Sequence, residues 1–535
     1  MEKKARRLAE EKLLEGEKKP DVQAQREEAL PRKDRGQTFL VREIRLKSKG
    51  VEPEGEKILG DLKRDLEPLV KECEGRELAL EDLRQLGRKI EEAYRKRGYF
   101  AYSYIPPQPI ENGEVTLEIL LSRMGDLQIQ GTKYFRASKT KSYWNIPKGK
   151  ILNYGQIRKS TLESNQNPDR TVRPNLKAGT EPGTTDIYLR SEEHFPVHGG
   201  FSFDNQGVDL TGKKNFGFTL RDNNLLSLDD IFLIGTLFGR DFGLLYLHHL
   251  IPITTFGTQF IWGLSHTEAR LEAYKSTRLN SISQIYNLLL RQRLFATDRF
   301  RAHAQLGFDI KEKRTRNKGV VIAWDRLRVL KPGLTVSAKD KTGVSTLNQD
   351  FSVGFSPHGD GFALTTRQAE SHFLKYEVSL HRRQTLPFGT YSLLNLKGQL
   401  SLDRLPPQEQ LFLGGAHSVR GYPESDYGAD QGMVVNIEHY LPLYFIPPDW
   451  HLFMDKTPLR KQVEWITFLD QGAGIIRRAQ STEEERRYLM GVGGGLQVQF
   501  RDNISARLEW GIPVGNSPLS DSGKYQFHFS LRVDV

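Results

Sequence analysis

From Gly199 onward the sequence alternates between apolar and polar residues with a period of two. For roughly 335 residues no helical text long enough to cover a sheet face interrupts it. In "FRAHAQLGFDI", Phe300, Ala302, Ala304, Leu306, Phe308 and Ile310 share one face, with Arg301, His303, Gln305 and Asp309 on the other. "GLQVQFRDNISARLEW" does this twice: Leu496, Val498 and Phe500 oppose Gln497, Gln499 and Arg501, then Ile504, Ala506, Leu508 and Trp510 oppose Ser505, Arg507 and Glu509. The terminal "FHFSLRVDV" sets Phe527, Phe529, Leu531, Val533 and Val535 against His528, Ser530, Arg532 and Asp534. A half-buried sheet in water has the same period, so one strand decides nothing. The length of the pattern and the repeated full charges of its polar phase fit strands with lipid outside and a wet lumen inside. At roughly 20 residues per strand plus connection, this region predicts an antiparallel transmembrane barrel of about 16 strands over residues 198–535.

The totals agree. A chain of 535 residues is too long for one compact core. Its net charge of +11 and pI near 9.3 would suit a nucleic-acid binder, but no zinc-finger spacing, RNP-type strand or basic helix accompanies them. No nucleic-acid partner is expected. The lone Cys73 excludes an internal disulfide. Mean hydropathy is −0.54, and no run of about 18 apolar residues makes a membrane helix, which excludes helical spanning only. The start, "MEKKARRLAEEKLL", is basic but has neither apolar core nor small-residue cleavage site; either the chain is cytoplasmic or this is a mature form with its export signal removed.

Ahead of the barrel the text is helical and mixed. Residues 1–20 read as a charged helix with Leu8, Leu13 and Leu14 near one side, and residues 21–37 as a linker with two prolines. Residues 38–122 predict a β-α-α-β-β unit: a strand over Phe39, Val41, Ile44 and Leu46, and helical text from Glu56 to Cys73 and from Leu80 to Lys96. Two extended runs then flank Asn112-Gly113. Leu83, Leu86, Ile90 and Tyr94 recur at helical spacing, with Gly98 as C-cap. The order recurs over residues 123–197, from "DLQIQG" through helical text at Ile157–Leu162 to two strands across a Gly/Pro turn; such a repeat is informative.

Within the barrel text "LGGAHSVRGYPES" ends a glycine-rich loop on Val419-Arg420-Gly421-Tyr422. An arginine folded inward needs a carboxylate, and an Arg–Asp pair can be bidentate. "FLDQGAG" offers one: Asp470 shares a strand phase with Phe468, and Gly472 and Gly474 suggest close approach of another backbone. Gly421 permits a tight tip, and Tyr422 can pack on the wall.

This order of helix, linker, two POTRA-like units and a barrel carrying "VRGY" and a later Phe-x-Asp-x-Gly resembles the TpsB transporters of two-partner secretion, within the outer-membrane assembly superfamily. "NQNPDR", with Asn165, Asn167, Pro168 and Arg170, is similar to an Asn-Pro-containing stretch of that family's second POTRA unit, a candidate client contact. The resemblance implies that the loop near 413–430 folds into the barrel and that Arg420 meets Asp470. It implies that the initial helix plugs the pore. It also implies an outer-membrane monomer with periplasmic POTRA units, inserted by the barrel-assembly machinery, that exports an unfolded TpsA-type exoprotein without ATP. The terminal Val533-Asp534-Val535 departs from the aromatic last residue usual in such barrels.

Two other readings compete: an insertase of the same superfamily, and a plain porin or outer-membrane enzyme. No Ser/His/Asp set, H-E-x-x-H pair or phosphate loop is found, so no catalytic residue, metal or cofactor is expected. "GVGGG", Gly491 to Gly495, lacks the P-loop lysine and reads as a turn or bend, and His248-His249 reads as strand alternation. Arg501, Arg507 and Arg532 are expected to face the lumen and to suit a polar, extended client. The client itself, whether adhesin, cytolysin or contact-dependent toxin, is open at this point.

Overall fold

The computed structural model describes residues 38–49, 53–110, 112–272, 278–297, 299–355, 369, 372–451, 457–501, 503–518 and 525–535. The expected N-terminal helix and linker lie outside them. The chain divides into two compact units, with the boundary between Phe195 and Pro196.

The first unit contains the repeat. Strands β1 (Phe39–Val41) and β2 (Glu43–Lys49) precede helices Glu54–Asp61 and Lys63–Lys71; then come β3 (Arg76–Leu78), helix Leu80–Lys96, β4 (Ala101–Tyr104) and β5 (Glu114–Leu121). The sheet order is β2-β5-β4, with β2 parallel to β5 and β4 antiparallel to it. Leu83, Leu86, Ile90 and Tyr94 are buried along one side of the long helix, against Val115, Leu117, Ile119 and Leu121 of β5. Three details differ from the sequence reading. The one strand expected over Phe39, Val41, Ile44 and Leu46 is two, β1 and β2, parted at Arg42 and paired in different sheets. The helical text divides at Leu62, two residues after Gly60, which lowers the cost of leaving the helix. The strands around Asn112-Gly113 are joined by a wide connection, 105–113, because Pro106, Pro107 and Pro109 cannot donate to a ladder.

The second copy has β6 (Arg123–Gln130), helices Ala137–Ser142 and Tyr154–Ser164, β7 (Arg170–Ala178) and β8 (Thr184–Glu193). Its sheet, β6-β8-β7, repeats the first: the opening strand is parallel to the last, and the middle one is antiparallel at an edge.

The second unit is a closed antiparallel barrel of 16 strands. Its first half runs β9 (Val197–Asp204), β10 (Asn215–Asp222), β11 (Ile231–Phe238), β12 (Phe242–Pro252), β13 (Thr258–Glu272), β14 (Arg278–Ala296), β15 (Phe300–Asn317) and β16 (Val320–Lys339). It continues with β17 (Gly343–Phe355), β18 (Phe373–Thr385) and β19 (Tyr391–Ser401). A short hairpin, β20 (Leu411–Leu413) with β21 (Tyr427–Ala429), stands apart from the wall. The wall resumes as β22 (Gln431–Pro442), β23 (Val463–Ile475), β24 (Arg486–Phe500), β25 (Ile504–Pro513) and β26 (Gln526–Asp534), which closes on β9.

Alternation sorts each strand into two faces. Leu306 on β15 and Leu508 on β25 are about half exposed outward, while their neighbours Asp309 and Glu509 are buried inward at 5% and 4%. An apolar outer band around a charged interior is stable only in lipid. No helix among the described residues is long and apolar enough to cross a membrane; the crossing is made by strands.

Candidate functional site

The connection from β19 to β22, residues 402–430, turns inward and carries the β20–β21 hairpin. Leu411, Leu413, Val419, Tyr422, Tyr427 and Ala429 of this loop pack with wall residues Val434 and Leu489 into a small apolar core inside the bore. Val419 and Tyr422 are fully buried. Burial of that apolar surface gives the loop a reason to leave water.

The tip arginine completes the site. Arg420 is 1% exposed. Its Nε and Nη2 donate to the two carboxylate oxygens of Asp470 at 2.6 and 2.7 Å, a bidentate pair, and its backbone N–H donates to the same carboxylate at 3.0 Å. Nη1 donates to Glu438 of β22 at 2.7 Å and to Glu509 of β25 at 2.5 Å. The guanidinium lies over the Phe468 ring, 3.6 Å from its centroid. Asn436 bridges loop and wall, donating to Ser418 O and to Asp470. Asp470 pairs with Asn436, five residues beyond Gln431 where the loop rejoins the wall, so the tip lies about 13 Å inside the rim. Arg507 shares Glu438 and Glu509 with Arg420, at 2.8 and 2.6 Å. Two guanidiniums therefore face three carboxylates, and none of the five charges stands alone.

The wall is hollowed to receive the tip. A Cβ at Gly491 would overlap the Arg420 carbonyl, and one at Gly472 would lie 2.8 Å from Val419. A Cβ at Gly511 would run into the backbone of Gly421, which itself needs its positive φ of 98°. "GVGGG" thus belongs to the interior of β24, not to a turn or bend: its Gly491 makes room for the loop, the close-approach use of strand glycine, while Gly493, Gly494 and Gly495 face neighbouring wall strands.

A second ion cluster holds the loop's root. Glu409, 2% exposed, accepts from Lys311 of β15 at 2.6 Å and from Lys375 of β18 at 2.8 Å. Gln399 of β19 donates to its backbone carbonyl at 3.1 Å, and Gln408 reaches Ser283 of β14. At the rim Arg404 forms a bidentate pair with Glu483 of the following loop, at 2.8 and 2.9 Å. Asp430 accepts from Leu405 N, Arg477 N and the Gln410 side chain. The loop is therefore anchored to two separate sectors of wall.

Val419, Arg420, Gly421, Tyr422, Phe468, Asp470 and Gly472 meet in one place. The sequence reading missed Glu438, Glu509, Asn436 and the Glu409 cluster; inward-phase carboxylates on neighbouring strands were their only signal. Of the lumen arginines expected, Arg507 is committed to the tip cluster, Arg532 pairs with Asp534, and Arg501 lies in the connection between β24 and β25, because the strand ends at Phe500.

The "NQNPDR" motif is mostly turned inward on its own unit. Asn165 bonds both backbone groups of Val172, at 2.6 and 3.1 Å, and Asn167 accepts from Asp169 N. Arg170, 2% exposed, donates twice to Ser164 O at 3.0 and 2.7 Å and once to Thr140, with Phe135 beside its guanidinium. It caps the C-terminus of helix Tyr154–Ser164, where a cation suits the unpaired carbonyls. Gln166 and Pro168 are exposed, while Asn167, Asp169 and Arg170 are buried.

His249 Nε2 donates to the Asp230 carboxylate at 2.7 Å in a buried pair, and no metal-type cluster occurs among the described residues.

A wet-lumened 16-strand barrel, filled by an arginine-tipped loop and preceded by two POTRA-like units, defines an outer-membrane β-barrel transporter. The haemolysin secretion/activation family ShlB/FhaC/HecB matches residues 183–498, and the ShlB-type POTRA domain matches residues 46–121. The chain belongs to that family. It is a transporter of two-partner secretion, in the outer membrane with its POTRA units in the periplasm. Among relatives, the heme/hemopexin transporter protein HuxB of Haemophilus influenzae is 23% identical over 481 residues, 87% of this chain and 83% of that one. The outer membrane transporter CdiB of Dickeya dadantii is 25% identical over 370 residues, 66% of this chain and 65% of its own. The solved structure of CdiB from Escherichia coli shares the fold, with a TM-score of 0.68 at 20% identity over 100% of this chain and 98% of that one. The family is made up of transporters.

Proposed function

We propose that the chain exports a large partner exoprotein, taken up unfolded in the periplasm, and that the Arg420–Asp470 latch holds the inward loop in its resting position. The chain works as a conduit without chemistry of its own. With no ATP at the outer membrane, passage runs on binding free energy and on folding of the client outside. The edge strands of the two POTRA sheets, β2 and β4 in one and β6 and β7 in the other, suit strand addition by an extended client. The relatives named as transporters of hemopexin or haemolysin support a protein client of this kind. The protein acts as a monomer, inserted by the barrel-assembly machinery.

The observation that carries this reading is the tip arginine, buried inside the bore and shared among Asp470, Glu438 and Glu509. A plain pore needs no such device. The test is a deletion strain. Export predicts one exoprotein retained in the periplasm with outer-membrane barrels unchanged; a general loss of barrel proteins would instead identify an insertase.

A further inference from the structure

The outer wall of β15 and β16 carries a charge pattern that the export path does not use. Going up β16 from the end at which the chain joins the barrel, the outward column reads Ala338, Val336, Leu334, Pro332 and Leu330, then Arg328, Arg326 and Trp324. Up β15 it reads Leu306, Phe308 and Ile310, then Glu312 and Arg314. From Ala338 to Arg328 is about 25 Å of wall height, the thickness of the apolar band of such a barrel. The arginines therefore begin where hydrocarbon ends, on the side away from the periplasm. The shorter strands stay apolar outward at this end, as at Leu374, Leu400 and Met433, whereas the long β13 carries Glu268 and Arg270 outward there.

The guanidiniums are organised rather than loose. Arg314 and Arg326 lie over the Trp324 ring, each 4.2 Å from its centroid. Stacking fixes each guanidinium plane against the ring. The Nε of Arg314 is buried without a hydrogen-bond partner. Arg328 donates through Nη1 to Leu327 O at 3.0 Å, and its Nη2 lies 3.7 Å from Glu312. Three arginines against one carboxylate leave the patch cationic.

We propose that this patch is a lipid site, binding the phosphate groups of the phosphorylated glycolipid in the outer leaflet through Arg314, Arg326 and Arg328. The ligand chemistry follows from height and charge: an amphiphile whose chains lie along Leu330, Phe308 and Leu306 places its anionic headgroup at the arginines. Guanidinium forks bind phosphate oxygens bidentately.

The test uses the purified full chain in detergent, with bound lipid read by native mass spectrometry. The probes are bis-phosphorylated lipid A and lipid A stripped of both phosphates, with inorganic phosphate as competitor. Wild type should prefer the phosphorylated lipid by about tenfold or more, and R314Q/R326Q/R328Q should erase that preference while keeping heat-modifiable mobility. Equal binding of the two lipids by wild type, or an unchanged preference in the triple variant, overturns the site. Displacement by millimolar inorganic phosphate overturns the glycolipid as its occupant.

Discussion

Arg420→Ala is the perturbation whose size the structure sets most clearly. The substitution removes four side-chain hydrogen bonds, two to Asp470 and one each to Glu438 and Glu509. Those three carboxylates are then left with Arg507 as the one guanidinium among them, inside a site they cannot leave. Breaking a buried ion pair from one side costs about 3–5 kcal/mol, so the ratio of docked to released loop should fall by roughly a hundred- to a few thousand-fold. The barrel wall is not touched. Heat-modifiable mobility should therefore persist, while the reconstituted channel spends more time in a high-conductance state and export falls strongly. Adding Asp470→Asn to Arg420→Ala relieves one unpaired charge and should restore about 1–3 kcal/mol of docking. If the arginine acts by positioning the loop, conductance and export recover together and in part. Wild-type conductance and export in Arg420→Ala would refute the latch, and export that fails to follow docking in the double variant would refute its positioning role.

Three further outcomes follow. Glu409→Gln leaves Lys311 and Lys375 without their shared carboxylate; it should raise single-channel conductance noise by loosening the loop's root, additively with Arg420→Ala if the two anchors are independent. Gly491→Ala drives a Cβ into the Arg420 carbonyl, and the overpacking should cost about 1–3 kcal/mol of docking and lower export with no charge changed. Burial pushes the Glu424 carboxyl, in the loop beyond the tip, up to about 7. A raised carboxyl favours the docked loop when protonated, so its contribution is full below the ordinary value of 4.5 and is lost as pH rises to about 7. Channel opening should increase over that window, and Glu424→Gln should flatten it.

The faces of the wall were legible because a period of two puts alternate residues on opposite sides: that Leu306 and Asp309 face opposite ways follows from the text, and the length and charge of the pattern set Leu306 outward. An inward arginine must find a carboxylate, which made Asp470 a candidate, and the family resemblance supplied the pairing itself. The remainder of the cluster was not legible. Glu438 and Glu509 come from two other strands, 18 and 89 residues from Arg420, and strand closure rather than local pattern brings them together. Glu409 and Lys311 are likewise 98 residues apart. "GVGGG" misleads because glycine serves turns and close approach alike, and only the neighbour at Arg420 separates the two uses. In the POTRA repeat, the likeness of "NQNPDR" to a family stretch suggested a client contact; Arg170 is polar because a helix end must be capped inside the unit.

The central claim, a loop tip seated inside the bore against β23, is tested most directly by a disulfide between Val419→Cys and Gly472→Cys in a chain whose Cys73 is replaced. The side chain at 419 lies within contact of where a Cβ at 472 would be. Mild oxidation of assembled protein in outer membranes should form the bond and change gel mobility reversibly with reductant. A correctly assembled barrel in which these two thiols never join would contradict the account.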